Sequence, residues 1–543
     1  MIARDQALAA LAREEWDVLV VGGGITGAGV ALDAATRGYS VALVEKRDFA
    51  VGTSSRSSKL VHGGLRYLQN FDLGLVREAL LERQLMVDLA PHLVKPLPLL
   101  VPAFAGARPD RLVGLGLNMY DVMARKRPRP SRGRGSEEWS PERHRVISGE
   151  EVAELLPALA PRHPTSGYLF YDCQTDDVRL VLTVLGEAER FGAVCANGVE
   201  VRELVAGGVV AREAETGEEL AIRAQNVVNA TGVWADRLRP EELHDVAEVP
   251  VIRPSRGTHI LLRSEDLPLV AGAIVPAGDS RSIFALPWLG RSLIGTTDED
   301  YDGDIDAVRP GEEEIAYLLA ATNAFFHTEL GVADLVGAYA GVRPLISSAD
   351  AKKSVDISRK AELYETSDGM ITITGGKLTT WRRMAKLAVD RLVEREGRDA
   401  PCRTHEVPLG LAIDPDELER VEGVPEESYA ALAGRYGFAA HDVLRVAAER
   451  GTLAQPIVPG LPDLLAEAVH AARAEQARSI GDVLLRRTRL GILAAREVVG
   501  GEGVAERVAA ALGDELGWDP ARRAAVVEAF AAEAAAEGVA LPG

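Results

Sequence analysis

Apolar positions along this chain follow three patterns. Up to about residue 248, and again from 336 to 400, short continuous apolar runs alternate with amphipathic stretches. Buried strands and covering helices read this way. The clearest case comes first. Asp17 to Val21 is a compact apolar run, Val30 to Arg37 a helical stretch rich in alanine ended by Gly38, and Ser40 to Val44 a second run closed by Glu45. Leu75 to Leu89 has the spacing of an amphipathic helix, ended by Pro91. Pro96, Pro98 and Pro102 then punctuate an extended apolar segment. Val178 to Arg190 reads as a helix that Asp177 can cap, followed by strand candidates at 193–201, 208–212, 220–222 and 227–232. Between Val249 and Asp298 the pattern changes to short strands at 258–262, 274–275, 282–286 and 292–295. Glycines and prolines separate them, which predicts an antiparallel sheet. Residues 311–330 read as a helix, with Ile315, Leu318, Leu319 and Phe325 on its apolar side. From about 405 to 543 the periodicity is helical, with Asp519-Pro520 as a start signal and Gly538 as a stop.

The joint between the first two apolar runs carries chemistry. Gly22, Gly24 and Gly27 are spaced G-x-G-x-x-G directly after a strand and before a helix, and Glu45 stands eighteen residues after Gly27. In such a β-α-β unit Gly22 makes the tight turn, Gly24 admits a pyrophosphate, and Gly27 lets helix and strand pack. The helix N-terminus favours phosphate, and Glu45 suits a ribose 2′-OH rather than a 2′-phosphate. NAD and FAD both fit this unit. A second strand, glycine pair and helix start recurs at Ile371 to Thr380, I-T-I-T-G-G-K-L-T-T.

Composition narrows the function. A length of 543 residues predicts two or three domains, and 47% hydrophobic with 26% charged residues is ordinary for a globular enzyme. A net charge of −20 argues against a nucleic-acid partner. Cys173, Cys195 and Cys402 are scattered, which predicts no disulfide framework and a reducing compartment, and no metal site is expected. The N-terminus lacks a signal core and no run reaches membrane-spanning length, so membrane contact is expected to be peripheral. One block is out of character. Arg125 to Arg134, R-K-R-P-R-P-S-R-G-R, carries six basic residues and no acid. It reads either as a solvated loop or as a dock for anionic lipid, worth about 1 kcal/mol per basic residue.

The loop after the second strand is more specific. It offers Thr53, Ser54, Ser55, Ser57, Ser58, His62, Gly63-Gly64, Arg66 and Tyr67. The segment S-S-K-L-V-H-G-G-L-R-Y-L, followed by E-A-L-L-E-R-Q-L-M-V-D-L-A-P-H-L, resembles the FAD-dependent, respiratory glycerol-3-phosphate dehydrogenases. The resemblance extends over most of the chain, to R-R-T-R-L within Arg473 to Ala495. It implies FAD as the cofactor and an α/β fold. This is a Rossmann-like FAD-binding domain with an antiparallel-sheet substrate domain, the glucose-inhibited/D-amino-acid-oxidase-like flavoprotein fold, and a C-terminal all-helical domain. The expected boundaries are 12–95, 165–248 and 336–400 for the discontinuous FAD-binding domain, 96–164 and 249–335 for the substrate domain, and 405–543 for the helical one.

The same resemblance implies the reaction and the site. Hydride moves from C2 of sn-glycerol 3-phosphate to FAD and the electrons pass on to a quinone, at the cytoplasmic face of the membrane. Arg343, Arg359 and Lys377 are read as the phosphate and substrate clamp, because three cations from converging segments suit a dianion. Arg66 and Tyr67 line the pocket, and His62 and His259 are the base candidates. The expected FAD contacts are Gly22, Gly24, Gly27, Glu45, Thr53, Ser54, Ser55 and Ser58, then Ala230, Thr231 and Gly232 at a strand end, and Gly375, Gly376, Lys377, Leu378 and Thr379 at the second glycine turn. Partners are glycerol 3-phosphate, a quinone and an anionic membrane surface, with a homodimer as a possible assembly. The competing readings are an oxidase of the same family using oxygen, an amine or amino-acid oxidase of the same fold, and a flavin-binding subunit without turnover.

Overall fold

The leading β-α-β unit forms from the strand Glu15–Val21, the helix Ile25–Thr36 and the strand Val41–Glu45. This is a computed structural model, and it describes residues 2–64, 73–104, 111–124, 143–238, 251–278, 281–347, 361–366, 369–500 and 503–539. Arg66, Tyr67, Arg359 and the basic block Arg125 to Arg134 lie outside them. The two strands pair in parallel, with Val20 opposite Leu43 on one side and opposite Val228 on the other. Both faces are covered, so their valines and leucines are buried; each contributes about 1.5–3 kcal/mol. The helix sits between the helices Asp177–Arg190 and Trp381–Glu396. Small residues permit this spacing: a Cβ on Gly29 would lie 2.6 Å from the Trp381 ring.

The first sheet runs 361–365, 371–375, 219–229, 15–21, 41–45, 194–197, with 199–205 and 208–213 added through 219–229. Two expected short strands, at 220–222 and 227–232, are one strand Glu219–Asn229, which stops before Ala230-Thr231-Gly232. Its first half pairs antiparallel with Gly208–Glu213 and its second half parallel with Glu15–Val21. The run 193–201 divides instead into Val194–Asn197 and Val199–Val205, because Gly198 between them takes φ +66°. The cap of the helix Asp177–Arg190 is Asp176, which accepts from Val178 and Arg179 N–H; Asp177 is turned toward Lys59.

The second sheet has ten strands. Its spine is the long antiparallel pair Val251–Arg263 and Leu335–Ser347, in a register that sets His259 opposite Tyr339 and Ser255 opposite Arg343. The strands Arg291–Gly295, Ser282–Trp288 and Gly272–Pro276 follow as an antiparallel meander, and Lys95–Ala103 joins the last of these in parallel. Lys95–Ala103 is a strand despite three prolines. They occupy alternate positions, so the missing N–H groups fall on one edge, and the strand pairs along its whole length with Ser166–Gln174. Leu60–Val61, Ser166–Gln174 and Leu335–Ser347 all hydrogen-bond into this second sheet, and they fall within the bounds expected for the FAD-binding domain, save Leu335. The expected helix over 311–330 is Glu312–Phe326, and it ends early because His327 takes φ +58°.

Residues beyond 405 are helical, from Glu426–Tyr436 to Pro520–Ala536, around their own apolar core. Asp519 caps the last helix by accepting from Arg522 N–H at 2.7 Å. Buried ions join this region to the first sheet's loops: Arg487 donates to both oxygens of Asp48 at 2.8 Å, and Arg486 Nε reaches the same carboxylate at 2.6 Å. Among the described residues no helix is long and apolar enough to cross a membrane.

Candidate active site

The two sheets meet over a cavity of about 540 Å³. The glycine turn forms one end. Gly22 takes φ +112°, and a Cβ there would lie 2.7 Å from the Ala230 carbonyl oxygen, so only glycine allows the strand ends to close. Gly27 packs as expected and does not face the cavity: its Cβ would fall 1.9 Å from the Gly22 carbonyl oxygen. Glu45 accepts from Gly23 N–H at 2.8 Å and Arg47 N–H at 3.0 Å. Burial pushes its carboxyl pKa up against those two backbone donors, and the carboxylate retains lone pairs toward the cavity it lines. At the third strand end Thr231 bonds Asn229 Oδ1, and Gly232 turns with φ +62°. The second glycine pair, Gly375 and Gly376, takes φ +77° and +71° beside the same cavity, with Lys377, Leu378 and Thr379.

The hydroxyl-rich loop lines the cavity with Thr53, Ser54 and Ser58 and also joins its walls. Thr53 donates to the Val342 carbonyl at 2.6 Å, and Ser54 accepts from Ile25 N–H at 3.0 Å at the start of the first helix. Ser55 is buried and turned inward, donating to the Gly52 carbonyl at 3.1 Å, away from the cavity. Ser58 shares a proton with His259 Nε2 across 2.8 Å. Thr379 Oγ1 accepts from His62 N–H and donates to the His62 carbonyl, tying the two glycine-bearing segments together. Beneath His62, Gly63 N–H reaches both Tyr120 Oη and Asp172 Oδ1, and Arg83 completes a buried network on Asp172.

Of the two base candidates, both line the cavity, and His259 has the defined setting. Its imidazole stacks on Tyr339, with centroids 4.7 Å apart and planes at 11°. Burial, then the nearby cations Lys59 and Arg343, hold its pKa well below the ordinary histidine value, so the ring is neutral at pH 7. A neutral imidazole can accept a proton. Arg343 projects beside it from the long strand, with its guanidinium on Asp298 at 3.1 Å, Thr296 Oγ1 at 3.2 Å and the Thr297 carbonyl at 3.2 Å. Lys377 reaches the same cavity from the second glycine turn. Residue reasoning assigned no role to Lys59, Asp172, Trp234 or Asp298. Lys59 stands inside S-S-K-L-V and Trp234 just after Ala230 to Gly232, but the partners of all four are more than forty residues away in sequence.

The cavity suits a dinucleotide. Glycine backbone lies where side chains would obstruct it, a carboxylate stands at the end of the second strand, and a helix N-terminus opens at Gly24. Comparisons agree with this geometry. The model of the FAD dependent oxidoreductase family matches residues 17–391, and that of the C-terminal domain of alpha-glycerophosphate oxidase matches 371–523. The chain is 36% identical over 525 residues to glycerol-3-phosphate dehydrogenase 2 of Mycobacterium tuberculosis, covering 94% of this chain and 86% of that one. Glycerol-3-phosphate dehydrogenase 1 of the same organism is 39% identical, covering 88% and 92%. A glycerol-3-phosphate dehydrogenase structure from Bacillus halodurans, complexed with FAD, superposes with a TM-score of 0.78 at 29% identity, covering 99% and 98%.

Proposed function

Since the chain belongs to the FAD-dependent glycerol-3-phosphate dehydrogenase family, we propose that it oxidises sn-glycerol 3-phosphate to dihydroxyacetone phosphate and delivers the electrons to a quinone. Its cofactor is FAD, which supplies the two-electron acceptor for the C2 hydride. The observation that most supports the reading is the single cavity that holds both glycine turns together with His259, Arg343 and Lys377.

The chain's residues divide the work. Gly22, Gly24, Glu45, Ala230 to Gly232 and Gly375 to Thr379 hold the cofactor. Lys377 and the Arg343 fork bind the phosphate and substrate oxygens, with Asp298 fixing the fork's direction. His259 takes the C2 hydroxyl proton, and Ser58 orients the ring. Arg66, Tyr67 and Arg359 complete the substrate side in this reading. The basic block from Arg125 to Arg134, set in a chain of net charge −20, supports a dock on anionic lipid at the cytoplasmic membrane face.

One assay tests the reaction. Under anaerobic conditions glycerol 3-phosphate should bleach the yellow flavin absorbance, and glycerol should not. A quinone-like dye should then restore the colour without peroxide. No bleaching by glycerol 3-phosphate would refute the substrate. Rapid peroxide release in air, with poor dye turnover, would replace the dehydrogenase reading with an oxidase.

A further inference from the structure

Behind the Ser58–His259 pair lies a buried cluster that touches neither substrate nor cofactor in the proposed reaction. Lys59 Nζ is fully buried and donates to both oxygens of Asp177, at 2.9 and 2.7 Å, and to the Ser55 carbonyl at 2.7 Å. Asp177 Oδ2 also accepts from Ser57 N–H at 3.1 Å and the Ser57 hydroxyl at 2.7 Å. Both chain neighbours of Ser58 thus hang on one carboxylate. Lys59 takes φ +60°, an unfavourable value for a side-chain-bearing residue, and its carbonyl is tied to Thr175 N–H. Arg489 enters from the C-terminal helical region, donating to the Ser55 carbonyl at 2.7 Å and lying 3.4 Å from Asp177. Lys59 Nζ stands 4.8 Å from the centre of the Tyr339 ring, the ring on which His259 is stacked.

We propose that Lys59, Asp177 and Arg489 form a buried positioning triad that fixes Ser58 against His259 and governs how readily that imidazole accepts a proton. The proposal rests on reading His259 as the proton acceptor. The charges around the ring are nearly balanced. Lys59 faces it from the loop and Arg343 from the adjacent strand, the latter paired with Asp298. Asp177 and Arg489 lie beyond Lys59, and Asp176 stands 3.9 Å from Arg489. Tyr339 donates its hydroxyl to the Ser57 carbonyl and, being buried, stays protonated. Removing one cation leaves an excess carboxylate, which favours the imidazolium. Burial and then Arg489 hold the Lys59 pKa down to about 7, so Lys59 is cationic in the acidic range where the imidazole would otherwise protonate.

The test follows two quantities against pH in the FAD-loaded enzyme: anaerobic flavin reduction by glycerol 3-phosphate, and the His259 titration by NMR of ring-labelled histidine. His259→Gln identifies the signal and should slow flavin reduction by about a hundredfold or more. Lys59→Met and Arg489→Gln should each retain FAD. Each should raise both the His259 titration and the acid limb of flavin reduction by about one pH unit. Lys59→Arg, which keeps the charge, should leave the titration near wild type. Normal flavin reduction by His259→Gln would remove the premise. A slow His259→Gln, with no shift in either Lys59→Met or Arg489→Gln, would overturn the triad while leaving His259 in place. If one of those two variants loses FAD the other decides, and loss of FAD by both would make the cluster a structural staple and end the proposal.

Discussion

Arg343 reaches the cavity with its guanidinium already directed by Asp298, Ser255, Thr296 and the Thr297 carbonyl. Lysine offers a point charge and cannot hold this set from a planar fork. Charge-assisted hydrogen bonds contribute about 1.5–3 kcal/mol, so Arg343→Lys should lower kcat/KM for glycerol 3-phosphate by about ten- to a hundredfold. Bound FAD should be unchanged, because the glycine turn at Gly22 to Gly27 is built independently. Inorganic phosphate should inhibit the variant less than wild type. Steady-state kinetics with a quinone dye check this; normal kinetics, or flavin lost together with activity, would remove Arg343 from the substrate site. His259, Arg343 and Lys377 were legible in the chain through the family resemblance, and the structure brings all three to one cavity. Their partners were not. Ser58 lies 201 positions from His259 and Lys59 lies 118 from Asp177, and nothing local in a polar loop names a mate at that distance. The same limit hides the second use of Thr53 and Ser54, expected as cofactor hydroxyls: they line the cavity and also bond Val342 and Ile25.

At the scale of elements, the glycine turn is where backbone conformation and cofactor space coincide. Gly22→Ala would place a Cβ 2.7 Å from the Ala230 carbonyl oxygen at φ +112°. Such strained backbone costs on the order of 1–3 kcal/mol, so the protein should melt lower and purify with little flavin. Gly24→Val acts differently. A Cβ there lies 3.0 Å from Ser54 Oγ, with the backbone otherwise relaxed, so FAD should be lost with a smaller drop in melting temperature. Flavin absorbance per protein and thermal melting of the two variants separate these effects; full FAD occupancy in Gly22→Ala would contradict the site. The elements themselves were readable where periodicity was strong, as in Asp177–Arg190 and Leu73–Leu89. Their ends were set by single conformations that periodicity does not encode. Examples are the left-handed His327 that stops Glu312–Phe326 and Gly198 that splits a strand in two.

At the scale of the whole molecule, the division into sheets was harder to read than the elements, since a short apolar strand carries no label for its partner. Leu60–Val61 follows the nucleotide-binding strands in sequence yet pairs with Ser166–Gln174 in the other sheet, carrying the chain from one wall of the cavity to the other. The docking of the C-terminal helices was likewise invisible, because R-R-T-R reads as surface charge until Asp48, Glu475 and Asp177 are seen buried against it. That docking gives a pH dependence with a definite sign. Burial opposes ionisation of Glu475, but Arg179, His470 and Arg487 outweigh it and bring its pKa to about 2; burial of Asp48 is likewise outweighed by Arg487 and Arg486, which lower its pKa. An unfolded glutamate titrates near ~4.3. The folded value is lower, so the pairing contributes fully above about pH 4.5 and is lost as pH falls toward 2. Glu475→Gln leaves Arg179 without its buried carboxylate, which costs about 3–5 kcal/mol at neutral pH. Thermal melting of wild type and Glu475→Gln should therefore differ most from pH 5 to 7, and the gap should narrow steadily below about pH 4.5. A gap that stays constant down to the acid limit would mean that Glu475 contributes through packing, and the ion pairs at this junction would lose their place in holding the helical region against the cofactor loop.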